Sequence, residues 1–255
     1  MASRRRVLTY GAALAAGAIG AAALAPAAAA ADTTVFADGF EGTDFTAWTR
    51  QRIDGNGAMD LVTDPVLEGG QAARFTVPND GVSYRSEVAH DSFGYGRYSF
   101  EFADYLPRDW TPYEYGTILA QWHGYPLPDG SDTNPPLSLV VKQAAWQFKV
   151  HWFDDAGVQQ ETTIALPDVT FGAWNRWRVD IQWSTPDTPG SLSIALNGAQ
   201  VASYDGRKTY HQNQAPYFKL GIYRANWNPA KGIPYPTGGP PVVVYDDAVQ
   251  VTQIA

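Results

Sequence analysis

The chain has 255 residues, with 18 Lys and Arg against 26 Asp and Glu and no cysteine. Its net charge of −8 excludes general attraction to nucleic acid and other polyanions, so an anionic ligand needs a local cationic surface. Its 9 Trp and 14 Tyr exceed what a core requires, and such rings suit the faces of sugars.

The chain opens with Ser3-Arg4-Arg5-Arg6-Val7-Leu8 and continues through an Ala- and Gly-rich apolar stretch to an Ala-x-Ala site. These are the three regions of a bacterial export signal, and the paired arginines point to the twin-arginine type. The stretch lacks the large side chains of a transmembrane anchor. Residues 1–31 are therefore expected to be removed, leaving 32–255 as one secreted, extracellular domain, monomeric and free of the membrane. Losing three arginines leaves 15 cations against 26 acids, a net −11. With no disulfide available outside the cell, the apolar core must hold the domain together alone.

The rest of the chain shows no long helical period and no internal repeat. "FADGFEGTDF" near the start carries Asp38 and Glu41. In "YRSEV", Arg85 and Glu87 share one strand face, because successive side chains leave opposite faces. "YGRYSFEFADYL" sets Tyr98, Phe100 and Phe102 against Ser99 and Glu101. "ILAQWHGY" puts Gln121 and His123 on one face, with Ala120 and Trp122 on the other. "WQFKVHWF" aligns Trp146, Phe148, Val150 and Trp152, leaving His151 opposite. "WNRWRVDIQW" aligns Trp177, Val179, Ile181 and Trp183, and "GSLSIALNGAQVASY" reads as a hairpin turning at Asn197-Gly198. "YFKLGIYR" faces Phe218, Leu220 and Ile222 one way and Tyr217, Lys219, Gly221 and Tyr223 the other, with Arg224 on the first face. "PPVVVYDDAVQV" is the last strand. The Pro-rich stretches "YPLPDGSDTNPP" and "WNPAKGIPYPTGGPP" are too long for tight hairpins and read as functional rim loops. Many short strands with this punctuation predict an all-β fold, a two-sheet β-sandwich of the concanavalin-like jelly-roll kind with a concave substrate groove.

If their strands are neighbours, Arg85, Glu87, Gln121, His123, Lys219 and Tyr223 form one polar floor, with Gly221 as a notch against which a ligand lies. Such a floor suits β-elimination on a uronic acid. Arg85 and Gln121 would neutralise the carboxylate and the enolate-like charge that develops. His123 is the natural base and Tyr223 the acid, or Tyr223 serves both roles. Lys219 would hold a neighbouring carboxylate or sulfate, and Glu87 would fix Arg85. Tyr217 and His151 would line the groove.

"YRSEV", "QWH" and "YFKLGIYR", in that order, resemble the motifs of the jelly-roll polysaccharide lyases. Length and the middle motif are closer to the heparin lyase I and glucuronan lyase group than to the related alginate lyases. The resemblance implies an acidic polysaccharide substrate, no cofactor for catalysis, carboxylate binding by Arg85 and Gln121, His123 as base and Tyr223 as acid. Ala89 stands where the alginate-type motif has a second arginine, which weighs against alginate. The net charge weighs against densely sulfated heparin and for glucuronan, unless Arg97, Lys142, Lys149, Arg207, Lys208 and Arg224 gather in the groove.

Two other readings compete: a non-catalytic carbohydrate-binding jelly roll, and a glycoside hydrolase. The hydrolase needs two flanking carboxyl groups, yet no Glu-x-Asp-x-x-Glu series occurs, and Glu101 and Asp104 fall on opposite faces. No His or Cys shows metal-ligand spacing. Asp38, Glu41, Asp246 and Asp247, near the two chain ends, would bind a structural calcium or stand as solvated turn acids.

Overall fold

The computed structural model describes residues 30–255, of which 31–255 form one compact unit. All but the last two residues of the expected export signal lie outside the described part. In chain order the strands are β1 (Thr33–Asp38), β2 (Arg50–Asp54), β3 (Ala58–Val62), β4 (Ala72–Val77), β5 (Arg85–His90), β6 (Arg97–Tyr105), β7 (Thr117–His123) and β8 (Leu137–Lys142). They continue as β9 (Ala145–Phe153), β10 (Gln159–Asp168), β11 (Trp174–Gln182), β12 (Ser191–Leu196), β13 (Ala199–Asp205), β14 (Tyr217–Tyr223) and β15 (Val242–Gln253).

They form two antiparallel sheets, the two layers expected of a jelly roll. One runs β13-β12-β11-β6-β15-β4-β3 with β1 beside β15; the other runs β10-β9-β8-β7-β14-β5-β2. Alternation explains the core between them. Trp146, Phe148 and Val150 of one sheet and Trp177, Val179 and Ile181 of the other are sealed from solvent, and Trp146 meets Trp177 edge-on at 5.0 Å. Phe218 of β14 lies 5.3 Å from Trp122 and 5.1 Å from Phe100, ring to ring. The hairpin turn at Asn197-Gly198 has φ of 51° and 81°, the paired positive values of a type I′ turn.

Three of the four acids near the chain ends have partners in the protein. Asp38 accepts from the Phe40 amide and from Trp48 Nε1, and Glu41 from the amides of Gly70 and Gln71. Asp247 accepts from the amides of Leu67 and Glu68. Asp246 is fully buried opposite Asp104. Among the described residues no three Asp, Glu, His or Cys side chains cluster as metal ligands.

Candidate active site

β14 lies between β7 and β5, so the three motif strands are neighbours. Tyr217 stands opposite His123 and Lys219 opposite Gln121 on β7, while Gly221 faces Glu87 and Tyr223 faces Arg85 on β5. The β14–β7 register slips by one residue between Leu220 and Tyr223, with Gly221 at φ 118°. This bulge corrects one expectation. A Cβ at Gly221 would drive into the Ser86 carbonyl and come within 3.0 Å of Glu87 Cα and the Phe75 ring. The glycine allows close packing toward the core; it is not a notch for ligand.

Glu87, 2% exposed, is the hub of the floor. Its Oε2 lies 2.7 Å from Lys219 Nζ and 3.5 Å from Arg85 Nη1, and its Oε1 accepts from Gln121 Nε2. Burial of a carboxylate demands such compensation. Lys219, expected to hold a ligand carboxylate, is itself only 3% exposed and is held by Glu87. Arg85 has a second, closer acid, Asp54 Oδ2 at 3.0 Å, and its guanidinium sits 4.1 Å over the Tyr223 ring, a cation–π contact. Both carboxylates of the floor are thus engaged with cations, and neither is placed as the free acid or base of a hydrolase.

His123 Nδ1 lies 2.7 Å from the Gly124 carbonyl. A carbonyl only accepts, so Nδ1 carries the proton and Nε2 keeps its lone pair. Burial pulls the His123 pKa below its ordinary 6.5 against the opposing Gly124 bond, so the ring is neutral at pH 7. Asp132, from the first Pro-rich loop, stands 4.0 Å from Nε2. Burial pushes the Tyr223 phenol above 10, with Arg85 opposing. Burial likewise raises Tyr217, whose ring lies 5.5 Å from that of His123. Gln121 thus shares β7 with a neutral imidazole, Arg85 stands opposite a protonated phenol, and Glu87 holds both.

His151 lines a cavity of about 180 Å³ together with Tyr223, Ser138 and Lys149. Both its ring nitrogens are taken, Nδ1 at 2.7 Å from the Pro135 carbonyl and Nε2 at 3.0 Å from Glu161. The remaining cations do not gather. Lys149 pairs with Glu161 at 2.9 Å and Arg207 with Asp155 at 2.5 Å. Lys208 is sealed against the Gly206 carbonyl, Arg97 belongs to the other sheet, and Arg224 faces away from Tyr223's side. Two further arginines, which the hydrophobic period does not reveal, come from β2, and both are paired. Arg50 lies 4.3 Å over Tyr217 and 2.6 Å from Asp91, and Arg52 lies 3.2 Å from Asp54.

A sheet face that carries a neutral imidazole, a protonated phenol, and an Arg and a Gln tied to one buried carboxylate marks a carbohydrate-active jelly roll. Residues 40–250 match the family model described as polysaccharide lyase. The chain belongs to that family and is a carbon–oxygen lyase acting on polysaccharides. Its fold is similar to the endo-β-1,4-glucuronan lyase of the fungus Trichoderma reesei, with TM-score 0.72 at 22% identity over 88% of this chain and 94% of that one. It is also similar to alginate lyase A1-II′, with TM-score 0.53 at 18% identity over 76% and 83%. The binding domain of Paraclostridial Mosquitocidal Protein 1 matches at TM-score 0.52 and 12% identity, over 88% and 49%. By sequence, no curated protein matches. The jelly-roll lyase membership expected from the three motifs is borne out.

Proposed function

We propose that this lyase cleaves a glucuronate-containing polysaccharide, with glucuronan as substrate, by β-elimination. His123 Nε2 removes the C5 proton while Arg85 and the second amide hydrogen of Gln121 bind the neighbouring carboxylate. The charge that develops there is met by donors already held in place by Glu87 and Asp54, which need not reorganise during the reaction. Tyr223 protonates the departing glycosidic oxygen, and a C4=C5 double bond forms. The observation that carries this reading is that one buried carboxylate, Glu87, holds both Gln121, on the strand of the neutral His123, and Arg85, opposite the protonated Tyr223. Lys219 acts as a positioning residue through Glu87, and Tyr217 flanks the base.

Glucuronan is favoured over alginate by Ala89, which pairs opposite Lys219 and Arg50 and adds no third cation. It is favoured over heparin by the dispersal of the remaining basic residues, and the likeness to the fungal glucuronan lyase supports the same choice. The Arg4-Arg5-Arg6 run and the Ala-rich stretch that follows support export from a bacterial cell and action as a secreted enzyme. The test is a panel of glucuronan, alginate, heparin and hyaluronan, followed by ultraviolet absorbance of the unsaturated uronate. Fastest release from glucuronan is expected. Faster release from another polymer overturns the substrate, and tight binding without release on all four overturns the mechanism.

A further inference from the structure

Behind Tyr223 the chain builds a second cavity, of about 700 Å³. The segment after β14 divides its side chains: Tyr223, Ala225 and Asn226 line the smaller outer cavity, while Arg224 and Trp227 line the larger one. Its other walls are Asn79, residues 110–113 and residues 236–241 of the second Pro-rich loop.

Arg224 is 2% exposed, and no carboxylate among the described residues pairs with it. Its guanidinium lies 4.6 Å over Tyr113, 4.4 Å over Trp227 and 5.7 Å over Trp110. Nε donates to Thr117 Oγ1 at 2.9 Å and Nη2 to the Thr111 carbonyl at 3.4 Å, leaving Nη1 without a bond. Burial lowers its pKa to about 10, so it remains a cation at neutral pH. Aromatic faces offset only part of the cost of a buried charge that lacks a counter-ion.

Four further polar atoms on the cavity's residues are buried without a hydrogen-bond partner: Trp110 Nε1, Tyr113 Oη, Trp227 Nε1 and Asn79 Oδ1. Folded proteins leave few such groups, and four of them fall on residues that wall this one cavity. The two indole N–H groups and Arg224 donate, which suits an anion. Asn79 Oδ1 accepts, which an inorganic anion does not answer and a hydroxyl does. The exposed Asp109 stands at the rim. The volume falls in the range of small-molecule sites, roughly 300–1,000 Å³.

We infer that this cavity is a second carbohydrate site, binding one sugar unit that carries a carboxylate, with the carboxylate on Arg224 and ring hydroxyls toward Asn79 and Tyr113. It rests on the lyase reading only in naming a uronate as the sugar. The site backs onto the strand end that carries Tyr223, so a bound unit occupies the opposite side of the chain from the cleavage site.

Calorimetric titration of the mature protein with free D-glucuronate, and with D-glucose as the neutral control, tests it. Saturable glucuronate binding is expected, with no saturation by glucose. Arg224→Gln should weaken binding about tenfold or more, the loss of one charge-assisted contact. Trp110→Phe, which keeps an aromatic ring and removes one donor, should weaken it about threefold, while the Arg224-dependent component should persist in Arg85→Lys. If Arg224→Gln does not fold, Trp110→Phe decides alone. No saturable binding, or binding that depends on Arg85 and not on Trp110 and Arg224, overturns the site. Arg224-dependent binding in a protein that does not cleave glucuronan would uphold the site and remove the proposed substrate instead.

Discussion

Glu87 Oε2 and Lys219 Nζ stand 2.7 Å apart on adjacent strands, and both side chains are almost sealed from solvent. The pair lies beneath the groups that do chemistry. It holds the carboxylate to which Arg85 and Gln121 are attached, so its energetic role and its catalytic role are linked.

Removing one partner of a buried pair leaves the other charge uncompensated. Lys219→Met should therefore lower stability by about 3 kcal/mol, the low end for such breaks because Arg85 still faces Glu87. A urea melt with an unchanged midpoint would contradict this. Turnover should fall as well, because Glu87 then reorients toward Arg85.

The pH dependence follows from the two shifts at the ends of the row. His123 acts as a base only when neutral, and its pKa lies below 6.5. Tyr223 acts as an acid only when protonated, and its pKa lies above 10. kcat/KM should rise with pH to a midpoint below 6.5, then stay level until above pH 10. An acidic midpoint above 7 would exclude His123 as the group that titrates.

Gly221→Ala combines a positive φ with a collision into β5 and the core. A loss of about 1–3 kcal/mol is expected from the backbone conformation alone, with more from the Ser86 carbonyl. Thermal unfolding of the variant at the wild-type temperature would contradict the bulge.

Asp104 and Asp246 face each other fully buried between the sheets. Burial raises the pKa of Asp104 to about 7 and that of Asp246 well above 3.8, where each carboxyl would sit in the unfolded chain. The folded state binds more protons, so this pair's contribution is full below pH 3.8 and is lost as pH rises through about 7. Asp246→Asn should raise the melting temperature at pH 8 by several degrees and flatten its dependence between pH 4 and 8. A variant less stable than wild type at pH 8 would contradict the protonated pair.

The three motifs are legible because each strand carries a two-residue alternation, and parity puts Arg85 with Glu87, Gln121 with His123, and Lys219 with Tyr223, each pair on one face of its own strand. What parity does not contain is the neighbour across the sheet. Asp54, the nearer acid to Arg85, comes from β2, a strand of sequence Arg-Gln-Arg-Ile-Asp that is exposed along almost its whole length. An edge strand with no apolar face gives no hydrophobic period to read. The same limit hid β10, whose exposed positions alternate with half-buried ones. Gly221 was misplaced for a different reason: a bulge breaks the alternation locally, and a glycine carries no side chain to show it. Lys219 looked like a ligand contact because a lysine on an outer face is ordinarily solvated, and only the β5 register brings Glu87 to it.

The most direct test compares wild type with His123→Ala and Tyr223→Phe on the polymer that gives the fastest release of unsaturated uronate, with circular dichroism confirming the fold of each. The account predicts a loss of about 100-fold or more in kcat for each variant, with binding of the polymer retained. Either variant within a few-fold of wild type would contradict the assignment of His123 as base and Tyr223 as acid.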